Sequence, residues 1–395
     1  MRIDRRVAFL GFSAIAAVGL AACSSGAAAP PSSGGDKQAA AAGESSAAPT
    51  STGDVVPGRT ITVVGSGDFL IHNTLWMQAQ SDGGGQMDFS PQVAGIKKRI
   101  APADFAICQQ ETPFAKPTGP FSGYPVFSTP PQLVKTIKDT GYDACGTVSN
   151  HTLDGGMDGI KRTLDALDAA GIGHAGSART AEEAATPHIY DVDGVKMAYL
   201  SYAYDFNGYK RPAGKEWCCN LINADQMIAD AKKAREAGAQ LVIMNMHGGD
   251  ENSSTPNALQ KNTAAAIAAS GQVDALFGQH VHVVQPVQKI GNMWVVYGEG
   301  NLVSGQYDSW KRNKEGVIVS LTFTQADDGT WSTTKAVGYP TLNTSAPIRV
   351  HDLVSELPKS GGDSRMLEAY QQTKKTVLSM GAAKDGFVVP DPGGQ

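Results

Sequence analysis

The sequence has few charged residues, few aromatic residues and few cysteines. Charged residues make up 18% of the 395 residues and the net charge is −5, so no basic surface is available to hold nucleic acid. Aromatic residues make up 7%, and none of the five cysteines has zinc-finger spacing. Hydrophobic residues still make up 41%, which is typical of a globular protein with a sizeable core.

The N-terminal 23 residues predict a lipoprotein signal peptide. Arginines precede an apolar run from Val7 to Leu20, which is too short to span a bilayer. The run ends in Leu20-Ala21-Ala22-Cys23, which resembles a bacterial lipobox, where cleavage leaves Cys23 as the diacylated first residue. We therefore expect a protein that is lipid-anchored to the membrane on its extracellular face. An ordinary secretory signal is the alternative, and the export route stays open.

The next segment, residues 24–58, predicts a disordered tether. Ala, Ser, Gly, Pro and Thr dominate it, and such a composition cannot bury enough apolar surface to offset the entropy lost on ordering. We expect the folded domain to cover residues 59–340. Residues 341–395 are expected to form a C-terminal extension with a helix from about Ser364 to Met380.

Buried strands alternate with amphipathic helices up to about residue 277, and hairpins follow. The predicted helices include Leu133–Thr140, Val93–Arg99 and Ala258–Ser270, and a strand is expected over Tyr142–Val148. This order indicates an α/β fold with a mixed sheet or two packed sheets.

Ligand-type side chains follow five of the predicted strands. They are Asp68, Glu111, Asn150 with His151, His247, and His280 with His282. Carboxylates, an amide and imidazoles suit Zn²⁺, Mn²⁺ or Fe better than Ca²⁺. Residues at i and i+2 of an extended segment point the same way, so the last two histidines are expected to face one site. The remaining histidines are expected to be caps or core residues; they are His72, His174, His188 and His351.

Four cysteines lie beyond the predicted signal peptide. Cys108 and Cys145 both end predicted strands, so they form either a disulfide or two separate buried thiols. Cys218 and Cys219 are adjacent, and they either form a strained vicinal bridge with each other or have two separate fates.

The order of these motifs resembles the calcineurin-like metallophosphoesterase pattern, and most closely the CapA family of capsule and poly-γ-glutamate biosynthesis proteins. The resemblance covers roughly residues 60–305 and implies a sandwich of two mixed β-sheets flanked by helices. The segments that carry it are Gly67-Asp68, Glu111-Thr112-Pro113, Ser149-Asn150-His151-Thr152-Leu153-Asp154-Gly155-Gly156, His247-Gly248-Gly249-Asp250-Glu251, Gly278-Gln279-His280-Val281-His282 and Tyr297-Gly298-Glu299-Gly300-Asn301.

The resemblance also implies roles for these residues around two divalent transition-metal ions. Asn150, His247 and His280 would hold one ion, Asp68 and His282 the other, and Glu111 would bridge them. His151 would be catalytic, as a general acid or an oxyanion stabiliser. The first motif departs from the pattern of a full phosphoesterase, which has Asp-x-His where this chain has Asp68-Phe69-Leu70-Ile71-His72. The ion held by Asp68 is therefore expected to lack one ligand.

Three functions are compatible with the sequence. The first is a CapA-like protein in capsule or envelope polymer biosynthesis, with an anionic polymer or phosphorylated substrate and a membrane synthase complex as partners. The second is a secreted metallophosphoesterase acting on phosphate esters. The third is a non-catalytic subunit that binds polymer or acts as a scaffold.

Overall fold

The structure is a computed structural model that describes residues 55–394. The predicted signal peptide, Cys23 and most of the predicted tether lie outside these residues. The described chain contacts the folded part slightly before Arg59, because the backbone amides of Val56 and Gly58 donate hydrogen bonds to Gln325. None of the helices in the described range is long and apolar enough to cross a membrane.

Residues 55–394 form fifteen strands, ten α-helices and five short 3₁₀ helices. The strands are β1 Thr60–Leu70, β2 Phe105–Gln110, β3 Ala144–Gly146, β4 Gly173–Ala175, β5 Ile189–Val192, β6 Val195–Ala203, β7 Leu241–His247, β8 Ala275–Gln279, β9 Val287–Ile290, β10 Met293–Val296, β11 Asn301–Ser304, β12 Glu315–Gln325, β13 Trp331–Asn343, β14 Val350–Asp352 and β15 Phe387–Val388. The α-helices are α1 Asn73–Asp82, α2 Ser90–Val93, α3 Lys97–Ile100, α4 Leu133–Thr140, α5 Gly156–Ala169, α6 Ala181–Ala185, α7 Ala224–Glu236, α8 Ala258–Ser270, α9 Leu353–Glu356 and α10 Ser364–Val377. The 3₁₀ helices are Ala94–Ile96, Glu216–Cys218, Lys311–Lys314, Leu357–Lys359 and Ala382–Asp385.

The strands form two mixed sheets. The first has the order β14-β13-β12-β1-β2-β3-β4, with β11 paired to β1 and β15 paired to β13. The second has the order β5-β6-β7-β8-β10-β9. In both sheets the central strands run parallel, β1 beside β2 and β7 beside β8, so their carboxyl ends meet at one edge. In parallel sheets that edge is where ligands bind.

The main core lies between the two sheets. Val63 and Phe105 of the first sheet and Tyr199, Ile243 and Phe277 of the second belong to it, and each is fully buried. Burying one such side chain contributes about 1.5–3 kcal/mol. Two further cores lie on the outer faces, one beneath α1, α4 and neighbouring helices and one beneath α7 and α8. The predicted sandwich of two mixed sheets flanked by helices is therefore confirmed.

Some helices have the bounds that the sequence predicts and others do not. Ala258–Ser270 does, because Asn257 forms a capping box at its start and Gly271 adopts a left-handed conformation at its end. The helix predicted over Val93–Arg99 is instead split into α2, a 3₁₀ turn and α3. Within that turn Gly95 lies so close to Val350 that a Cβ atom would be 2.4 Å from its carbonyl oxygen.

The predicted extension after residue 340 is part of the first sheet. Strand β13 runs across that position, and both β14 and β15 pair with it. Ala369 and Tyr370 of α10 belong to the core between the sheets. The predicted C-terminal helix is present, ending at Val377.

The cysteines of the described residues take two different states. Cys108 and Cys145 lie opposite each other on β2 and β3 and form a disulfide. This decides between the two alternatives that the sequence left open for that pair. Cys218 and Cys219 are free and buried.

Candidate metal centre

The predicted site residues meet where the two sheets face each other at their carboxyl edges. Asp68 lies near the end of β1, and Glu111 directly follows β2. His247 is the last residue of β7, and His280 and His282 follow β8. The backbone of β1 packs closely against the residue that precedes β11, since a Cβ atom on Gly67 would lie 1.9 Å from the carbonyl oxygen of Gly300.

Asp68, Glu111 and His282 form a possible metal site. Their ligand atoms all lie within 4.8 Å of one another, and all three side chains are buried. His282 Nδ1 lies 3.7 Å from Asp68 Oδ2, and His282 Nε2 lies 4.0 Å from Glu111 Oε1. Two carboxylates and an imidazole are a donor set that suits a divalent transition metal.

Asn150, His247 and His280 adjoin this group. His247 Nε2 lies 2.9 Å from Asn150 Oδ1, and its Nδ1 lies 3.8 Å from Asp68 Oδ1. The His280 ring lies 5.0 Å from the His247 ring, and its backbone amide donates to Asp68 Oδ2. The structure thus brings together all six residues that the sequence predicts as metal ligands.

The prediction that His280 and His282 lie on an extended segment is wrong. Their φ angles are 88° and 60°, so both adopt a left-handed conformation. The chain bends just after β8, and Gly278 near the end of β8 packs against the backbone of Tyr297. Each such residue costs on the order of 1–3 kcal/mol, and strain of this kind concentrates at functional sites. The two rings nevertheless stay 5.9 Å apart.

The polar atoms of the group suit a cation. Within the described residues, Asp68 Oδ1, both carboxylate oxygens of Glu111, and Nδ1 of His247 and of His280 are buried without a hydrogen-bond partner. Buried polar atoms are rarely left unpaired, because each costs about 1–3 kcal/mol. A metal ion would satisfy these atoms, so the residues fit one.

The pKa values of the group fit the same interpretation. Burial raises the pKa of Asp68, and burial with the nearby charge of Asp68 raises that of Glu111 well above its usual range. Burial lowers the pKa of His282, but the charges of Glu111 and Asp68 outweigh it and raise that pKa to about 9. Burial and the neighbouring His282 lower the pKa of His280 to about 3. Two buried carboxylates therefore attract a positive charge, and His280 offers a neutral ring.

His151 lies beside the ligand group and is held by a carboxylate. Its Nδ1 lies 2.8 Å from Asp154 Oδ2, and Phe127 packs edge-on against its ring at 4.7 Å. Asp154 Oδ2 also accepts a hydrogen bond from the backbone amide of Phe127. This pairing fixes the ring orientation and leaves Nε2 as the nitrogen that can exchange a proton with a substrate.

The other histidines lie outside the group, as the sequence predicts. Gly305 donates to His72 Nδ1 at 3.2 Å, and the His72 ring packs edge-on against Phe127. His174 Nε2 lies 3.1 Å from Asp168 Oδ1, and His351 Nδ1 lies 2.6 Å from Glu356 Oε2. His188 packs against the ring of His174. Among the described residues, the possible metal site that contains Asp68 also contains Glu111 and His282 and does not include His72.

Sequence reasoning missed three residues that orient the site. Asn207 accepts a hydrogen bond from Asn150 Nδ2, and Asn301 Oδ1 lies 3.0 Å from His282 Nδ1. Asp154 pairs with His151 and lies three residues after it, a spacing that a helical turn brings together. Asn301 ends the segment Tyr297–Asn301, which is one of those that carry the family resemblance. Asn207 lies in an irregular segment that carries no recognisable sequence motif.

The sequence profile of the family described as "Bacterial capsule synthesis protein PGA_cap" matches residues 62–306, which is more than half of the chain. The chain belongs to this family. The predicted resemblance is therefore confirmed.

Two relatives named for capsule or PGA biosynthesis are similar in sequence to this chain. The capsule biosynthesis protein CapA of Bacillus anthracis is 27% identical over 202 residues, which are 50% of this chain and 48% of the relative. The PGA biosynthesis protein CapA of Bacillus subtilis (strain 168) is 28% identical over 209 residues, which are 51% of this chain and 53% of the relative. The matched region thus spans about half the length of each relative.

Solved structures of phosphoesterases are also similar. The calcineurin-like phosphoesterase YfkN from Bacillus subtilis is 15% identical, with a TM-score of 0.45, and the alignment covers 82% of this chain and 99% of that chain. A phosphatase from Mycoplasma pneumoniae is 13% identical, with a TM-score of 0.41, and the alignment covers 79% of this chain and 97% of that chain. Neither similarity indicates an activity or a substrate for this chain.

Proposed function

We propose that this protein acts in the biosynthesis of poly-γ-glutamate or a related capsule or envelope polymer, through a metal-dependent hydrolase-type site. The observation that carries the proposal is the buried group of Asp68, Glu111 and His282. Membership of the capsule synthesis family supports the process, and two relatives named for capsule and PGA biosynthesis support it further.

Two ions of Mn²⁺, Zn²⁺ or Fe would occupy the site. Asp68 and His282 would hold one and Asn150, His247 and His280 the other, with Glu111 between them. When bound, such ions polarise a substrate oxygen and ionise a water molecule near neutral pH. His151, oriented by Asp154, would donate a proton from Nε2 to the leaving group.

The proposal includes attachment to the extracellular face of the membrane through lipidated Cys23. A lipobox cysteine carries several acyl chains, so the attachment would be stable. This position would bring the site to a membrane synthase complex and to the polymer that it exports. The bound ions would also let a chain with a net charge of −5 hold an anionic polymer.

The experiment incubates metal-loaded protein with poly-γ-glutamate and follows the chain length and the end groups of the polymer. We expect the wild type to alter them, the Asp68→Asn variant to lose both metal and activity, and His151→Ala to keep metal but lose activity. His351→Ala serves as the matched control, because it removes an imidazole that contacts Glu356 away from the site. Polymer that stays unchanged with metal-loaded wild type would contradict the proposal.

A secreted phosphoesterase is the second candidate. The pairing of His151 with Asp154 favours it, because an oriented imidazole can protonate an ester oxygen as it leaves. Turnover of a phosphodiester such as bis-p-nitrophenyl phosphate, without any change in the polymer, would support this candidate. Metal-independent binding of polymer with no turnover of either substrate would instead leave a scaffold role.

A further inference from the structure

Two adjacent thiols have no part in the proposed function. The Sγ atoms of Cys218 and Cys219 lie 2.7 Å apart, and a bonded pair is about 2.05 Å apart. Both side chains are buried, at 0% and 1% exposure. Little movement is therefore needed to join the two sulfur atoms.

The thiols lie at the base of the irregular segment 204–221, which connects β6 to α7. The backbone amide of Ala178 donates to the carbonyl oxygen of Cys218 at 2.9 Å. The guanidinium of Arg211 donates to the carbonyl oxygen of Cys219 at 3.3 Å. The backbone on both sides of the thiols is thus held in place.

The other end of the same segment contacts the metal centre. Asn207 accepts a hydrogen bond from Nδ2 of Asn150 at 3.1 Å. The ring of Tyr204 lies 4.4 Å from the ring of His280. Any constraint on the base of segment 204–221 therefore bears on two residues that touch predicted metal ligands.

We propose that Cys218 and Cys219 close into a vicinal disulfide, which fixes the base of segment 204–221. The oxidant is a small-molecule or protein disulfide. The Cys218 thiolate attacks it, forms a mixed disulfide and releases one thiolate. The Cys219 thiolate then attacks the Cys218 sulfur and releases the second, so two thiols are oxidised and one disulfide is reduced to two thiols.

Three observations support this chemistry. The disulfide between Cys108 and Cys145 is of a kind that persists in an oxidising compartment, where a second bond can also persist. The neighbouring Cys219 thiol and the charge of Arg211 lower the pKa of Cys218, which favours its thiolate. Burial means that the bond forms as the segment folds and is then shielded from reductants. The inference goes beyond the proposed function and needs no metal or substrate.

Mass spectrometry of exported, purified protein tests the bond. The protein is denatured, alkylated without reduction and digested with trypsin, which releases both cysteines in the single peptide Glu216–Lys232. We expect this peptide to be unalkylated and lighter than the dithiol by two hydrogen atoms, and to gain two alkyl groups after reduction. The cross-linked peptide of Cys108 and Cys145 in the same digest is the internal control. Two alkylated cysteines before reduction, or a bond from either cysteine to another peptide, would overturn the proposal.

Limited proteolysis of the native protein tests the constraint on segment 204–221. Trypsin can cleave this segment after Lys210 and after Lys215. We expect the double variant Cys218→Ser/Cys219→Ser to be cleaved there several-fold faster than the wild type, with cleavage elsewhere unchanged. An equal rate in both proteins would overturn the claim that the bond fixes this segment.

Discussion

The side-chain oxygen of Asn301 lies 3.0 Å from Nδ1 of His282. The orientation of the Asn301 amide is set by the carbonyl oxygen of Asn313, which can only accept and receives a hydrogen bond from Asn301 Nδ2 at 3.0 Å. The Asn301 oxygen must therefore face His282, and Nδ1 of His282 must carry a hydrogen atom. This leaves Nε2, the nitrogen closer to Glu111, for a metal ion.

The Asn301→Leu substitution is expected to weaken metal binding about 10- to 100-fold, because His282 loses the acceptor that sets its tautomer. Asn343→Leu is the matched control, since Asn343 is a buried amide that donates to Ser304 and does not contact His282. The affinity is measured by competition with a chelator, with circular dichroism to verify folding. Equal affinities of Asn301→Leu and the wild type would contradict the assigned role of Asn301.

His151→Ala is expected to lower the turnover of the substrate that the wild type converts by about 10²- to 10⁴-fold, which is the usual contribution of a general acid. The metal content should stay at the wild-type level, because Nδ1 of His151 is bonded to Asp154 and not to the ligand group. Asp154→Asn should lower turnover less, since the ring remains but loses its carboxylate partner.

Asp158→Asn provides the control for these two substitutions, because Asp158 is exposed on α5. Its turnover and metal content should match the wild type. A parallel loss of metal and turnover in His151→Ala would show that His151 is a ligand or a structural residue.

Metal binding is expected to strengthen with rising pH. The pKa of His282 is raised from 6.5 to about 9, so the metal-free protein holds a proton on this ring that a metal ion must displace. The affinity should therefore rise about tenfold per pH unit between about pH 7 and about pH 9 and then level off. Chelator competition across this range measures it, and a flat profile would contradict the proton release.

The proton on His282 stabilises the metal-free protein, so the free energy of unfolding falls as the pH rises, whereas the metal affinity increases. Because the folded pKa of His282 lies above its unfolded value of 6.5, its stabilising contribution is fully present below that pH. It is lost as the pH rises through about 9. Urea unfolding of metal-free protein, compared with His282→Gln, isolates this contribution.

Loss of the Cys108–Cys145 disulfide is expected to destabilise the fold by about 3–4 kcal/mol, as the closure of a loop of this length predicts. The double variant Cys108→Ala/Cys145→Ala is compared with the wild type by urea unfolding. A loss below about 1 kcal/mol would show that the bond contributes little beyond the pairing of β2 with β3.

The residues of the candidate site could be named from the sequence because they follow buried strands whose hydrophobic runs are easy to recognise. Parallel strands bring such residues to one edge, so Asp68, Glu111 and His247 could be expected to lie close together. Helix α8 was predicted with its observed bounds because a capping asparagine and a terminal glycine mark its two ends.

Contacts between residues distant in the chain could not be predicted in the same way. Asn207 reaches Asn150 from an irregular segment, and Asn301 reaches His282 only because β11 pairs with β1. The left-handed conformations of His280 and His282 follow a strand in which Gly278 packs closely against Tyr297, and periodicity reveals neither feature. Tertiary contacts, and not local propensity, set these features.

The metal content of the purified protein tests the central claim most directly. Protein is incubated with Mn²⁺, Zn²⁺ and Fe²⁺ in turn, dialysed, and analysed by inductively coupled plasma mass spectrometry beside the double variant Asp68→Asn/Glu111→Gln and the control His351→Ala. We predict that the wild type and the control retain at least one of these metals and that the double variant loses it. Wild-type protein that retains none of them, or a double variant that retains as much as the wild type, would contradict the assignment of a metal centre to Asp68, Glu111 and His282.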